Sequence, residues 1–199
     1  MQILLLLVAG YLVGSLSFAV IVSRLMGLPD PHTYGSGNPG ATNVLRSGSK
    51  KAAILTLLGD ALKGLVVVLF ASAWVKDSGS QQWVPALAGL AAFIGHLYPV
   101  YFGFKGGKGV ATAAGVLFGV SAWTGLSVLA VWGITFAATR ISSAGALAAA
   151  AASPVATWIF SRSPAITACT LVMAALLIWR HRENIKRLRS GSERKIGSR

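Results

Sequence analysis

From Ile3 to Ser23 the chain has no charged side chain, and Arg24 is its first cation. A run of that length can cross a bilayer as a helix, which takes about 20 residues. Comparable runs follow at Ala52–Trp74, Val84–Phe102, Val110–Ser121, Trp123–Thr139, Ser142–Phe160 and Ala165–Trp179. A water-soluble fold needs a polar shell around its core. Asp, Glu, Lys and Arg make up 12% of this chain against 54% apolar residues, about half the charged share of a soluble domain. A soluble enzyme is therefore excluded.

The runs predict an all-α, polytopic membrane helical bundle of seven transmembrane helices, with residues 1–199 forming a single integral membrane domain that ends in a basic tail over 180–199. Two runs are short, so Val110–Thr139 is alternatively one long tilted helix, which with a similar merger downstream gives five spans. With seven spans every lysine and arginine except Lys63, Lys76 and Arg162 falls on one side, the asymmetry that marks the cytoplasmic face. The C-terminus is then cytoplasmic and the N-terminus outside. No basic residue precedes the first run, so it reads as an uncleaved span rather than a signal peptide. Trp74, Trp83, Trp123, Trp158 and Trp179 stand near run ends as interfacial anchors. Gly10 with Gly14, and Gly115 with Gly119, either mark close helix contacts or reflect the ordinary glycine content of membrane helices.

The net charge of +13 does not point to nucleic acid, because the basic residues punctuate apolar runs instead of lining a helix face with aromatic partners. Cys169 is the single cysteine, so neither a disulfide nor a cysteine zinc site can form. The five acidic residues are scattered and form no cluster for magnesium or calcium. Anions are the expected ligands; no metal or cofactor is expected.

Three polar segments gather on the same side of the membrane. The first, Tyr34 to Arg46, holds Gly35, Gly37 and Gly40 at G-x-G-x-x-G spacing. It is not a dinucleotide fingerprint, which needs a preceding strand in a βαβ unit, and it contains Pro39. Its glycines expose N–H groups, and Ser36, Asn38, Thr42 and Asn43 add side-chain groups to a loop closed by Arg46, a nest suited to an anion. An ordinary turn and N-cap is the competing reading. The second segment carries Lys105, Gly106, Gly107, Lys108 and Gly109. Phe102 stands where a Walker A loop needs its first glycine and Gly109 where it needs Ser or Thr, so nucleotide hydrolysis is disfavoured. Flexible N–H donors with two point charges suit a phosphate monoester; a loop that merely anchors topology would not need three glycines.

The third segment begins at the end of the last run. His181, Asn184 and Ile185 recur on one helical face. Histidine can exchange a proton near neutral pH, and Asn184 can orient it or bond a carbonyl. Arg182, Lys186, Arg187 and Arg189 otherwise resemble any basic juxtamembrane helix drawn to anionic lipid. His96, in the inner third of its run, reads as a satisfied structural histidine. Asp60 and Lys63 lie inside the second run at i, i+3, where ionisable groups are costly, and are expected to pair.

GSGNPGATNVLR at 35–46, D-x-x-K-G at 60–64, GHLYPVYFGFKGGKGVAT at 95–112 and HRENIKRL at 181–188, followed by GSERKIG, resemble the bacterial acyl-phosphate:glycerol-3-phosphate acyltransferases, in family order over nearly the whole chain. The resemblance implies transfer of a fatty acyl group from acyl phosphate to the 1-hydroxyl of sn-glycerol 3-phosphate, giving lysophosphatidic acid and phosphate in the bacterial inner membrane, with the active site facing the cytoplasm. It implies that Ser36 and Arg46 are essential to catalysis, that the Lys105–Gly109 loop holds glycerol 3-phosphate, that His181 and Asn184 act in the centre, and that Glu183 supports the structure.

Acyl phosphate is a mixed anhydride with a good leaving group, so positioning and donors aimed at the developing oxyanion can lower much of the barrier without a covalent nucleophile. Direct attack by the glycerol hydroxyl is expected, with Ser36, Lys105 and Arg46 stabilising charge and His181 or a substrate phosphate taking the proton. Acylation of Ser36 is the alternative. A histidine followed five positions later by aspartate, another acyltransferase signature, is absent. The rival class is a transporter of small anions or organophosphates, which usually carries internal repeats and a midplane site; no repeat is found here. The sequence leaves the oligomeric state, the chain-length preference and any carrier partner undetermined.

Overall fold

The computed structural model describes residues 2–75 and 82–197, whose regular structure is all helix, with no strand among those residues. The first run is broken: α1 (Gln2–Gly14) and α2 (Phe18–Leu25) meet at a bend of 44°. The Ser15 hydroxyl donates to the Tyr11 carbonyl at 2.8 Å. The Leu16 carbonyl, freed by the break, accepts from Lys63 Nζ at 2.7 Å, as a backbone acceptor in lipid requires.

A single turn, α3 (Ala41–Val44), precedes α4 (Lys50–Trp74), whose first turn is capped by the Ser49 hydroxyl accepting from the Ala52 N–H at 3.2 Å. Then come α5 (Trp83–Leu97), α6 (Val110–Val120), α7 (Ala122–Thr139), α8 (Ser142–Ser161), α9 (Pro164–Arg180) and α10 (Arg182–Arg189), the last two bent by 59°. Among the described residues α4, α7, α8 and the stretch Trp83–Phe102, which continues α5, are long and apolar enough to cross a membrane, and counting each bent pair as one span raises the number to six. The fourth run, Val110–Ser121, gives only the 11-residue α6, about 16 Å long and half of a hydrocarbon core of about 30 Å. Residues 110–139 are not one continuous helix, because Ser121 is extended and its hydroxyl caps α7.

The core joins Val68 of α4, Phe93 and Leu97 of α5, Val116 of α6, Ala150 of α8, and Met173 and Leu177 of α9. Outward-facing residues are apolar: Leu4 is 64% exposed and Ile134 72%, as lipid-facing positions are. All five tryptophans expected at the interfaces are exposed. Both glycine pairs are close contacts: a Cβ on Gly14 would enter the Ala92 backbone, and one on Gly115 would enter that of Ala61.

The expected Asp60–Lys63 ion pair forms at 2.8 Å. Lys63 Nζ also donates to His96 Nδ1 at 2.9 Å, so His96 is buried and partnered, and one cluster ties α4, α5 and the break in the first run together. Contacts also sort the loops. His32 reaches Lys105, Lys108 reaches Asn184, and the Ile196 N–H donates to the Arg140 carbonyl, all at one end of the bundle. Ser163 bonds Gln82 at the other end, where Arg162 closes α8. Lys76 lies outside the described residues.

Candidate active site

The first polar segment is built around Asn43, which is buried. Its Oδ1 accepts the Ser36 N–H at 2.9 Å, and its Nδ2 donates to the carbonyls of Pro31 at 2.8 Å and Tyr34 at 3.2 Å. Asn43 therefore shapes the turn from within. Gly35 has φ +61, and a Cβ there would collide with Asn43 Oδ1 and stand 3.1 Å from Arg46 Cδ; glycine lets the arginine lie against the turn. The Gly40 N–H donates to the Asn38 carbonyl at 2.9 Å as the chain enters α3. Ser36, Gly37, Thr42 and Arg46 are exposed. Among the described residues no hydrogen bond joins the Ser36 hydroxyl to a histidine.

The second segment descends into the bundle. α6 starts at the depth of mid-α4, where a Cβ on Gly64 would strike the Thr112 carbonyl, so the loop before α6 forms a recessed floor. Gly106, Gly107 and Gly109 are buried there. The Gly107 N–H donates to the His96 carbonyl at 3.1 Å, and a Cβ on Gly107 would collide with the His96 ring. Lys105 is exposed, and its carbonyl accepts from His32 Nε2 at 2.9 Å. His32 Nδ1 contacts Asp30 Oδ1 at 2.7 Å. The His32 backbone N–H is the main influence holding the Asp30 carboxyl below its ordinary range. These contacts bind the first segment to the second.

The third segment meets the second where Lys108 Nζ donates to Asn184 Oδ1. Asn184 Nδ2 donates to Glu193 Oε1, so a donor-only ammonium and an acceptor-only carboxylate fix the amide orientation. Glu193 Oε1 also accepts from the Ser143 hydroxyl at 2.7 Å, and Oε2 from Arg187 Nε at 2.6 Å. These donors hold the Glu193 carboxyl low against the upward pull of burial. Burial, followed by the Arg187 charge, pushes Lys108 down to about 8. His181 Nδ1 lies 2.8 Å from the Leu177 carbonyl, which can only accept, so Nδ1 carries the proton and Nε2 presents a lone pair. Burial pushes His181 down to about 4, leaving the ring neutral at pH 7. Thr42 Oγ1 stands 3.3 Å from Ser142 Oγ at the start of α8.

The glycerol-3-phosphate acyltransferase family model matches residues 4–191. The chain belongs to that family. The glycerol-3-phosphate acyltransferase of Thioalkalivibrio sulfidiphilus is 56% identical over 193 residues, covering 97% of this chain and 93% of the relative. That of Thiobacillus denitrificans is 55% identical and covers 98% of each. Among solved structures, PlsY, an integral membrane glycerol 3-phosphate acyltransferase, superposes in its glycerol 3-phosphate form with a TM-score of 0.92 at 41% identity, covering 99% of this chain and 96% of that one. Its lysophosphatidic acid form gives 0.90.

The three segments expected to converge thus do so in a family of integral membrane acyltransferases. The geometry adds Arg180, Glu193, Ser142 and Ser143 to the site, none of which sequence reasoning assigned to it. Arg180 had counted only as a topological cation. Glu193 could have been suspected as one of five acids in a basic chain, placed in the tail. Glu183 is exposed and pairs with Lys186 at 3.1 Å, away from these contacts. Among the described residues no group of three His, Cys, Asp or Glu side chains is placed to hold a metal ion.

Proposed function

We propose that the chain transfers a fatty acyl group from an acyl phosphate to the 1-hydroxyl of sn-glycerol 3-phosphate, releasing 1-acylglycerol 3-phosphate (lysophosphatidic acid) and inorganic phosphate, the first step of bacterial phospholipid synthesis. The observation that carries the reading is the Lys108–Asn184 contact at the floor of a glycine-lined recess. It brings a cation, a buried neutral histidine and a buried glycine loop together on a lipid-facing bundle, where a phosphorylated headgroup and an acyl tail must meet.

In this reading Lys108 and the loop of Gly106, Gly107 and Gly109 seat the glycerol 3-phosphate, the Gly107 N–H itself being given to the His96 carbonyl, assisted by the turn that Gly35, Gly37, Asn38, Gly40, Thr42 and Asn43 form. Ser36, Arg46 and Lys105, all exposed, face the acyl phosphate and the developing oxyanion. The hydroxyl oxygen attacks the acyl carbon, the carbon–oxygen bond to phosphate breaks, and inorganic phosphate leaves. His181 Nε2 accepts the hydroxyl hydrogen bond and orients it. A ring with a value of about 4 is a weak base, so the proton passes to a substrate phosphate, whose second ionisation lies near 6. No metal or cofactor is invoked.

The topology proposed is seven traverses, with α6 the short one, the N-terminus outside and the site on the cytoplasmic side of the bacterial inner membrane, as the arginine and lysine bias favours. Purified protein given palmitoyl phosphate and labelled glycerol 3-phosphate, without ATP, CoA or added metal, should form lysophosphatidic acid. Flux of glycerol 3-phosphate into vesicles without that product would instead support the transporter.

A further inference from the structure

Arg180 closes α9 directly before His181. Its Nη2 donates to the Gly106 carbonyl at 2.8 Å and to the Gly107 carbonyl at 3.0 Å, and its Nε donates to Gly107 at 3.2 Å. The guanidinium stands 5.7 Å from the centre of the Tyr98 ring. From the opposite side the His96 carbonyl takes the Gly107 N–H. The glycine pair is therefore gripped by α9 and the end of α5, and neither glycine has room for a side chain.

We propose that Arg180 is a positioning residue for this reaction, holding the Gly106–Gly107 backbone so that Lys108 stands at the glycerol 3-phosphate site. The inference rests on the acyltransfer reading above. Carbonyl oxygens repel an anion, and here both are turned to the guanidinium. In a planar trans peptide the N–H points opposite its C=O, so the Gly107 carbonyl bond aims the Lys108 N–H away from Arg180. The grip needs a fork: lysine would keep the charge but offer one point of contact where arginine offers several fixed donors. Because Arg180 and His181 are adjacent, the same residue sets the spacing between the loop and the histidine.

Arg180→Lys, Lys108→Ala, the double variant and the wild type are compared in detergent, each checked for thermal stability. Arg180→Lys should raise KM for glycerol 3-phosphate about tenfold and leave KM for palmitoyl phosphate unchanged. In the Lys108→Ala background it should add less than about threefold, because the lysine it places is gone. Equal effects in both backgrounds, an unchanged KM, or a parallel rise for both substrates with lost thermal stability overturn the proposal. Should Arg180→Lys not fold, Tyr98→Leu, which removes the ring beneath the guanidinium, must show the same pattern with a smaller amplitude; an unchanged KM there is equally fatal. A wild type that forms no lysophosphatidic acid sinks the acyltransfer reading instead, and the grip is then judged by calorimetric binding of glycerol 3-phosphate to the same four proteins.

Discussion

Lys108 and Asn184, 76 residues apart, are joined by a hydrogen bond from ammonium to amide oxygen. The amide's other end is held by Glu193, so the lysine is aimed by a chain of contacts that ends in the C-terminal tail. Hydrogen bonds to charged groups contribute about 1.5–3 kcal/mol. Asn184→Ala should therefore lower kcat/KM for glycerol 3-phosphate about 10- to 100-fold, and Asn184→Asp should do at least as much harm because it sets a second carboxylate against Glu193. Steady-state assays of the two variants check this.

Lys108 sits at about 8, and in the proposed reading it holds the substrate phosphate only when protonated. As pH rises through that value the wild-type kcat/KM for glycerol 3-phosphate should fall, whereas Lys108→Ala, already weak, should lose that basic limb. Since kcat/KM reports the free enzyme, a pH profile of both proteins decides it.

His181 is held at about 4 in the fold and returns to about 6.5 when unfolded. The unfolded chain thus binds the extra proton first, and stability should decline as pH falls from about 6.5 toward 4. His181→Leu should flatten that slope in thermal melts, and the wild-type rate should show no titration near 6.5 from this ring. His181→Ala with full activity would remove the orienting role.

Asp60 and Lys63 are both buried within α4. Breaking a buried pair from one side costs about 3–5 kcal/mol, while replacing both partners by apolar residues is often far milder. Asp60→Leu and Lys63→Met should each lower thermal stability more than the double variant does. Additive losses would show that the two charges do not depend on each other.

Gly14→Ala would drive a methyl group into the Ala92 backbone, separating α1 from α5 and lowering the melting temperature, whereas Gly133, with open space around it, should accept alanine without effect. Melting curves of the two variants in one detergent provide the comparison.

The helices were legible because apolar runs in lipid have few alternatives to a helix, and the convergence of the loops followed from the number of runs taken with the charge bias. The break between α1 and α2 was not read, since Gly14, Ser15 and Ser17 are tolerated in an unbroken membrane helix and the break's partner, Lys63, lies in another run. α6 emerged shorter than a full crossing because its start is set by a buried glycine loop packed on His96, a tertiary contact with no periodic signature. Of the site, Ser36, Arg46, Lys105, Lys108, His181 and Asn184 could be picked out as polar residues in glycine-rich or basic segments. Arg180 could not, because its partners are backbone carbonyls, which look alike in every sequence.

The Leu16 carbonyl meets Lys63 from 47 residues further along the chain. During synthesis the first segment therefore enters the bilayer with a carbonyl that its own helix cannot satisfy, and the missing donor arrives only when α4 is inserted. The order of assembly is written into that contact: the first membrane hairpin matures as a pair, with the ammonium escorted into the hydrocarbon by the aspartate one turn before it.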